Sequence, residues 1–375
     1  MKKLVCVGAC YLDTILDVPY YPGEDSKLRA TNLQVRRGGN CPNTLQVLQQ
    51  LLRESDPSVK DVKPYLISCL PSVDAPAAAT IVDSFGPGSL VNFSRCIFRA
   101  NHRDPASSYI IRSEATGSRT LVNYNDLPEM TIDEFVTAAD EVGDEAWFHF
   151  EARSRAKPET HPKMIHAQGR IPETTLQCIR YLRRSFPNTR VSVEVEKPGR
   201  GGLEDLAAEA DVVFYSRSWA ESKRYESAQR CLSAQSGVAR KANPLLAQDP
   251  PTMYVGIGRC IVSITSQREG RVLPGYLAWA THFRSGRRSS RKEASERENK
   301  YPDKIVGWAN DYLIIPAFST VGAGDTFIAG MLFGLLCHHE DWDTERKVQF
   351  AVQLATCKVQ RDGFDGVGAE ALKHF

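Results

Sequence analysis

Residues 322–325, Gly-Ala-Gly-Asp, place an acidic side chain where the chain could bind an anion. Gly322 and Gly324 let the backbone turn sharply, and the apolar run 328–336 predicts a helix whose first free N–H groups lie at that turn. Because such a helix start attracts negative charge, Asp325 would repel an anion that was merely bound there. Its carboxylate instead fits a general base beside an anion that develops during a reaction. The alternative is an ordinary glycine-rich helix start with Asp325 as its cap.

A second candidate cluster follows the first predicted strand. Asp13 stands just past that strand, where ligands bind in open α/β sheets, although a solvated loop aspartate also fits the position. Gly39 allows a small ligand to approach the backbone closely, and Asn40 and Asn43 offer amide groups suited to sugar hydroxyls. Asn43 also fits the N-cap of a helix over 44–52, an interpretation that leaves Asn40 without a role.

Short apolar runs alternate with helical patterns, which predicts an α/β fold with a doubly wound, mainly parallel sheet flanked by helices. The predicted strands are 4–8, 64–70, 146–151, 190–195, 211–215 and 312–316. The predicted helices are 44–52, 77–85, 131–139, 172–186 and 343–359. Runs at 107–112 and 119–124 interrupt this order and predict an antiparallel hairpin that projects as a small β lid.

Three charged residues extend the candidate set. Glu194 and Glu196 fall on one face of a predicted strand near its carboxyl end, where they either line a site or cap the rim of the sheet. Arg119 lies at the turn of the lid hairpin, where it either reaches an anionic or hydroxylated ligand or remains exposed to solvent.

Composition limits the classes of protein. The 375 residues carry a net charge of +2 and are 42% hydrophobic, which argues against a dedicated nucleic-acid binder. The apolar runs fall short of the roughly 18 residues that span a bilayer, so we expect no membrane partner. The ten cysteines include no C-x-x-C pair, a pattern typical of reduced thiols in a cytoplasmic protein.

The domain organisation is predicted to be a single domain over residues 1–375, with lid strands within about 10–40 and 92–125. The tract 281–300 is rich in Arg and Lys and poor in apolar residues. It predicts an aberrant or disordered insertion over about 255–310. The phosphate-binding Gly-Lys-Ser or Gly-Lys-Thr is absent from the sequence, which excludes a P-loop.

With Asp13, the Gly-Gly-Asn at 38–40 and the Gly-Ala-Gly-Asp at 322–325 in this order, the chain resembles the ribokinase-like (PfkB) family of carbohydrate kinases. The stretches 191–198 (VSVEVEKP) and 363–366 (GFDG) are similar to the ketohexokinase branch, whose members phosphorylate the 1-hydroxyl of fructose. The resemblance covers about residues 3–230 and 316–367.

The resemblance implies phosphorylation of D-fructose to fructose 1-phosphate, with ATP and Mg²⁺ and a homodimer formed through the β lid. It implies that Asp325 takes the proton of the attacking hydroxyl and that the amides of Gly322, Ala323 and Gly324 stabilise the developing charge. The residues it assigns to the sugar are Asp13, Gly39, Asn40, Asn43 and Arg119. Those it assigns to the nucleotide are Thr320, Gly322 and Gly324, and it assigns no metal ligand.

Two departures from the family pattern concern the nucleotide half of the site. Ser319 stands where the family usually has aspartate, and the basic tract after Trp279 replaces the acidic residues and Gly-Ala pair that shape the nucleotide pocket in ketohexokinases. Two alternatives therefore stay open at this point. Beside the fructose kinase, the chain could be a non-catalytic sugar-binding relative or a kinase for another sugar or a nucleoside.

Overall fold

A computed structural model describes most of the chain. The described residues are 2–56, 61–152, 171–199, 201–228, 230–232, 234–235, 252–255, 263–266, 271–273 and 321–375. The strand predicted at 312–316 and most of the predicted insertion at about 255–310 lie outside them. Among the helices in these residues, none is long and apolar enough to cross a membrane.

Within the described residues, eight strands form the main sheet. Their bounds are β1 Lys2–Val7, β4 Val62–Ile67, β9 Ala146–Glu151, β10 Arg190–Val195, β11 Val212–Tyr215, β12 Thr252–Val255, β13 Ser263–Ser266 and β14 Arg271–Leu273. Their order in the sheet is β14-β13-β12-β11-β10-β9-β1-β4. The six strands from β4 to β12 in this order are all parallel, and β13 and β14 continue the sheet in antiparallel pairing. The predicted mainly parallel sheet is confirmed.

Helices cover both faces of this sheet. They are α1 Asn40–Glu54, α2 Pro76–Asp83, α3 Ile132–Val142, α4 Ile171–Ser185, α5 Leu203–Glu209, α6 Arg217–Ser222, α7 Ala323–Cys337, α8 Thr344–Val359 and α9 Val367–Lys373. Leu4 and Cys6 of β1 pack into the core shared with α1, α7, α8 and α9. Val5 and Val7 pack into the core shared with α3 to α6. Because side chains alternate along a strand, one buried strand serves two helical layers, as a doubly wound fold requires.

A smaller sheet of four strands stands apart from the main one. It consists of β2 Tyr11–Val18, β3 Asn32–Gly38, β7 Ser107–Ser113 and β8 Arg119–Tyr124, in the order β3-β2-β7-β8. The predicted hairpin is confirmed, since β7 and β8 pair antiparallel. Two short strands, β5 Cys69–Pro71 and β6 Ile97–Arg99, pair with each other in parallel.

The N-termini of helices α3 and α1 were both predicted from sequence, one correctly and one not. Thr131 forms the expected capping box at the start of α3, accepting from the backbone N–H of Glu134 while the Glu134 carboxylate accepts from the N–H of Thr131. The N-cap predicted for α1 is wrong. The helix begins at Asn40 with Gly39 as its N-cap, so Asn43 lies inside the first turn and its side chain is available for other contacts.

Candidate active site

Three candidate residues lie together where the first turns of two helices approach the carboxyl ends of the main-sheet strands. Strands β1, β9 and β10 are neighbours, so their carboxyl ends lie at one edge of the main sheet. The first turns of α1 and α7 come to the same edge, where they carry Asn40, Asn43 and Asp325. Ligands of open α/β sheets bind at this kind of edge, so the position favours a functional site.

Asp325 is buried in the first turn of α7, with 8% of its surface exposed. Its Oδ2 accepts a hydrogen bond from Asn43 Nδ2 at 2.7 Å, and its backbone carbonyl accepts one from Thr44 Oγ1 at 3.1 Å. Burial raises the pKa of Asp325 from its ordinary 3.8 to about 7, and the bond from Asn43 opposes that rise. A carboxyl with a pKa near neutrality is suited to take up a proton during turnover.

Asn43 links Asp325 to the lid sheet. Its Oδ1 accepts from Nη1 of Arg37, a buried residue near the end of β3, at 3.0 Å. Both ends of the Asn43 amide are therefore hydrogen-bonded, one to a cation and the other to the candidate base. The sequence did not single out Arg37, because the pattern of β3 does not show that its side chain would be buried next to α1.

Asn40 contacts Glu194 in β10 and Glu196 directly after this strand. Its Nδ2 lies 3.2 Å from Glu194 Oε1, 3.3 Å from Glu194 Oε2 and 3.2 Å from Glu196 Oε2. Burial raises the pKa of Glu194 well above its ordinary value, and the charges of Glu196 and Asp325 add to the rise. Both glutamates therefore contact Asn40, a candidate site residue at the start of α1.

Glu151 is a further acidic group that sequence reasoning missed. It ends β9, is buried, and contributes its negative charge to the raised pKa values of Asp325 and Glu194. A Cβ added at Gly8 would lie 2.7 Å from Glu151 Oε2, which places this carboxylate against the end of β1. The signal in the sequence was a charged residue at the carboxyl end of an otherwise apolar strand.

Two glycines keep the backbone at the helix starts close to its neighbours. Gly39 has φ of +108°, and a Cβ there would lie 2.2 Å from the carbonyl oxygen of Ala9. Gly322 has φ of +78°, and a Cβ there would lie 2.3 Å from Cζ of Phe364. Both positions combine a left-handed backbone with a close approach, so only glycine fits without a shift.

The lid sheet carries the remaining sugar-binding candidates. Asp13 lies inside β2 rather than in a loop, and its carboxylate packs against Gly38 of β3. Arg119 begins the exposed edge strand β8, opposite Arg112. Asp13 pairs with Ser108, four residues before Arg112, so Asp13 and Arg119 share one face of the sheet, separated along the strands by about 13 Å.

The nucleotide half of the site is described only in part. Thr320 lies outside the described residues. Gly322 is the N-cap of α7 and makes no side-chain hydrogen bond to the first amides of this helix, which point toward the position that an anion would take. Among the residues whose positions are described, no group of three or more His, Cys, Asp or Glu side chains is arranged to hold a metal ion.

Comparison with known proteins agrees with this architecture. The model of the pfkB family carbohydrate kinases matches residues 314–367. Mouse ketohexokinase is 24% identical to the chain over 379 residues, which cover 98% of this chain and 99% of the mouse protein. The resemblance predicted from the motifs is confirmed.

Solved structures show the same fold. Ribokinase from Giardia lamblia superposes with a TM-score of 0.65 at 14% identity, with all of both chains covered. Arabidopsis thaliana ribokinase, solved with ribose and ATP, superposes with a TM-score of 0.61 at 16% identity, covering 99% of this chain and 97% of its own. The chain therefore has the ribokinase fold.

Proposed function

We propose that this chain, which has the ribokinase fold and matches the PfkB carbohydrate kinases over residues 314–367, transfers the γ-phosphoryl group of ATP to a sugar hydroxyl. The observation that carries the proposal is Asp325, a buried carboxyl with a pKa of about 7 in the first turn of α7. Fructose is the leading substrate and its 1-hydroxyl the leading acceptor, supported by the mouse relative, a ketohexokinase, and by the motifs at 191–198 and 363–366.

In the proposed reaction Asp325 takes the proton of the sugar hydroxyl as its oxygen attacks the γ-phosphorus. The bond from that phosphorus to its bridging oxygen breaks, and ADP leaves with the electron pair. The amides of Gly322, Ala323 and Gly324 stabilise the negative charge that develops on the transferred group. Phosphoryl transfer requires mainly positioning and charge stabilisation, and the start of α7 supplies both a base and amide donors.

The sugar is proposed to lie between the main sheet and the lid sheet. Asn40 and Asn43 present amides at the start of α1, and Asp13 presents a carboxylate on β2. Gly39 is proposed to admit the sugar close to the backbone, and Arg119 to reach the ligand from β8. Because Glu194 and Glu196 accept from the Asn40 amide, they orient its oxygen toward the remaining side, where a hydroxyl could donate to it.

ATP and Mg²⁺ are proposed as co-substrate and cofactor. The amides at the start of α7 fit phosphoryl oxygens, and the Arabidopsis ribokinase solved with ribose and ATP supports a nucleotide at this fold. Thr320 and Gly322 are proposed to contact the nucleotide, with Gly324 next to them. When bound, Mg²⁺ would neutralise charge on the phosphates of ATP.

The function is tested with a coupled assay of ADP release on the full chain, supplied with MgATP and one acceptor at a time. The acceptors are fructose, ribose and adenosine, and we expect the highest kcat/KM with fructose. A clear preference for ribose or adenosine would replace fructose by another substrate class. Calorimetry addresses a non-catalytic relative, because fructose binding without any ATP binding would contradict a kinase.

We also propose a homodimer formed through the lid sheet. One face of this sheet exposes five large apolar side chains, a continuous patch of the kind that subunit interfaces cover. They are Leu33, Val35, Tyr109, Val122 and Tyr124, each about half exposed or more. Sedimentation equilibrium is expected to give twice the 41.7 kDa chain mass, and Val122→Lys is expected to give the monomer. A monomeric parent protein at micromolar concentration would refute this interface.

A further inference from the structure

Arg37 lies behind the proposed base and has an unusual set of contacts for a charged residue. It is buried near the end of β3, and its guanidinium lies 4.4 Å from the centre of the Phe85 ring. It donates to Gln46 Oε1 and, at 3.0 Å, to Asn43 Oδ1. The side chain is thus held by a ring face and two amide oxygens of α1. A guanidinium only donates hydrogen bonds, so these oxygens are fixed as its acceptors.

This contact determines which end of the Asn43 amide meets Asp325. With Oδ1 of Asn43 accepting from Arg37, its Nδ2 points to Asp325 Oδ2 at 2.7 Å. A flipped amide would put NH₂ against the guanidinium and an oxygen against the carboxylate, two repulsive contacts. We propose that Arg37 is a positioning residue that orients the Asn43 amide so that it donates to Asp325. The inference rests on the proposed role of Asp325 as the base.

The charges around Asp325 make this orientation consequential. Burial is the largest cause of the raised pKa of Asp325. The negative charges of Glu151 and Glu196 raise this pKa further, and the positive charge of Arg37 lowers it. The Glu194 carboxylate and the Lys358 ammonium also interact with the charge of Asp325. Without Arg37, the carboxyl groups of Glu151, Glu194 and Glu196 would remain as the acidic groups that interact with Asp325, and Lys358 would be the remaining cation among these groups. The ionised form of Asp325 would then be less stable.

Arg37→Met is therefore expected to raise the pKa of Asp325 by about one unit or more, which moves the acid limb of the kcat/KM profile to higher pH. At pH 7 a rise of the pKa from about 7 to about 8 lowers the ionised fraction of Asp325 from about a half to about a tenth, so we expect kcat/KM to fall by about fivefold or more. Arg37→Lys keeps the charge and one donor, so it should recover part of the loss. A merely structural role would leave the acid limb where it is in the parent protein.

A double-mutant cycle with Asn43→Ala tests whether Arg37 acts through Asn43. In the Asn43→Ala background, Arg37→Met is expected to lower kcat/KM by a smaller factor than in the parent protein, because the amide it orients is already gone and only the direct effect of its charge on Asp325 remains. Effects that multiply would show that the two residues act independently and would overturn the proposal.

Arg99→Met is the matched control. Arg99 is another shielded arginine, but its anchors are Pro128, Glu129 and Glu134 rather than site residues. We expect this variant to lose thermal stability without moving the acid limb.

A direct titration keeps the inference separate from the proposed function. The side-chain carboxyl of Asp325 is followed by ¹³C NMR in aspartate-labelled protein and assigned by its disappearance in Asp325→Asn. A higher Asp325 pKa in Arg37→Met, with a smaller rise when the same substitution is made in Asn43→Ala protein, supports the positioning role even if no acceptor is phosphorylated. An unchanged pKa would refute it even if the parent protein is an active kinase.

Discussion

The Asp325→Asn variant is expected to lose about 10²- to 10⁴-fold in kcat for sugar phosphorylation, the usual contribution of a positioned general base. The substituted amide has nearly the same shape as the carboxylate and still offers an oxygen to Asn43, which donates to this position at 2.7 Å. Sugar binding should therefore stay within about threefold of the parent protein, because the change removes a proton acceptor and leaves the surrounding contacts. Calorimetry with fructose and a turnover assay measure the two effects separately.

The pH dependence supplies a second signature of the same residue. Because Asp325 has a raised pKa of about 7, the base is protonated below that pH and ionised above it. We expect kcat/KM of the parent protein to rise with pH through about 7 and then to level off. In Asp325→Asn the residual activity should not show this limb. Turnover of the variant close to that of the parent would remove Asp325 from the role of base.

The contribution of Asp325 to folding stability should fall with rising pH, whereas kcat/KM should increase. The pKa of Asp325 is raised from 3.8 to about 7, so between these values the native state holds more protons than the unfolded state. The contribution of Asp325 to the free energy of unfolding therefore falls as pH rises across this interval and is lowest above it. At pH 8 we expect Asp325→Asn to be more stable than the parent by about 1–3 kcal/mol, with little difference at pH 4. Thermal unfolding at both pH values measures this.

The Gly322→Ala variant is expected to lose about 100-fold or more in kcat, because catalysis tolerates a displacement of about 1 Å poorly. Its Cβ would meet Cζ of Phe364 at 2.3 Å and Cε1 at 2.6 Å, and its φ of +78° adds strain of about 1–2 kcal/mol. The turn that begins α7 must then shift, which moves both the proposed amide donors and Asp325. Steady-state kinetics with fructose and MgATP measures the loss.

Two further variants separate the clash from the backbone strain. Gly88→Ala introduces alanine at φ of +65°, where the described structure leaves open space around the added Cβ, so it should lose stability with kcat unchanged. Phe364→Leu in the Gly322→Ala background shortens the opposing ring and should recover part of kcat. If Gly322→Ala turns over like Gly88→Ala, the close approach of Phe364 has no part in shaping the site.

The parts of the site that could be predicted from sequence are those determined by residues close together along the chain. The turn at 322–325 and the helix after it form a contiguous signal, because glycine spacing and an apolar run need no distant partner. The alternation of strands and helices likewise indicated the main sheet. The pairing of β7 with β8 followed from a short turn between two strand-like runs.

The remaining parts depend on contacts between distant segments. Arg37 and Glu151 reach the site only because β3 packs beside α1 and β9 pairs with β1. Asn43 was predicted as an N-cap because it precedes an apolar helical run, but the N-cap is Gly39 and the helix begins four residues earlier than predicted. That shift turns Asn43 from a cap into a contact of Asp325, which residue types alone did not show.

The measurement that tests the central claim most directly is a ³¹P NMR time course of MgATP and fructose with the parent protein and with Asp325→Asn. We expect the γ-phosphate signal of ATP to be converted to a sugar phosphomonoester by the parent protein. Asp325→Asn should bind fructose and leave ATP intact on the same timescale. Equal rates of monoester formation by the two proteins, or fructose binding by the parent protein without any monoester, would contradict phosphoryl transfer with Asp325 as the base.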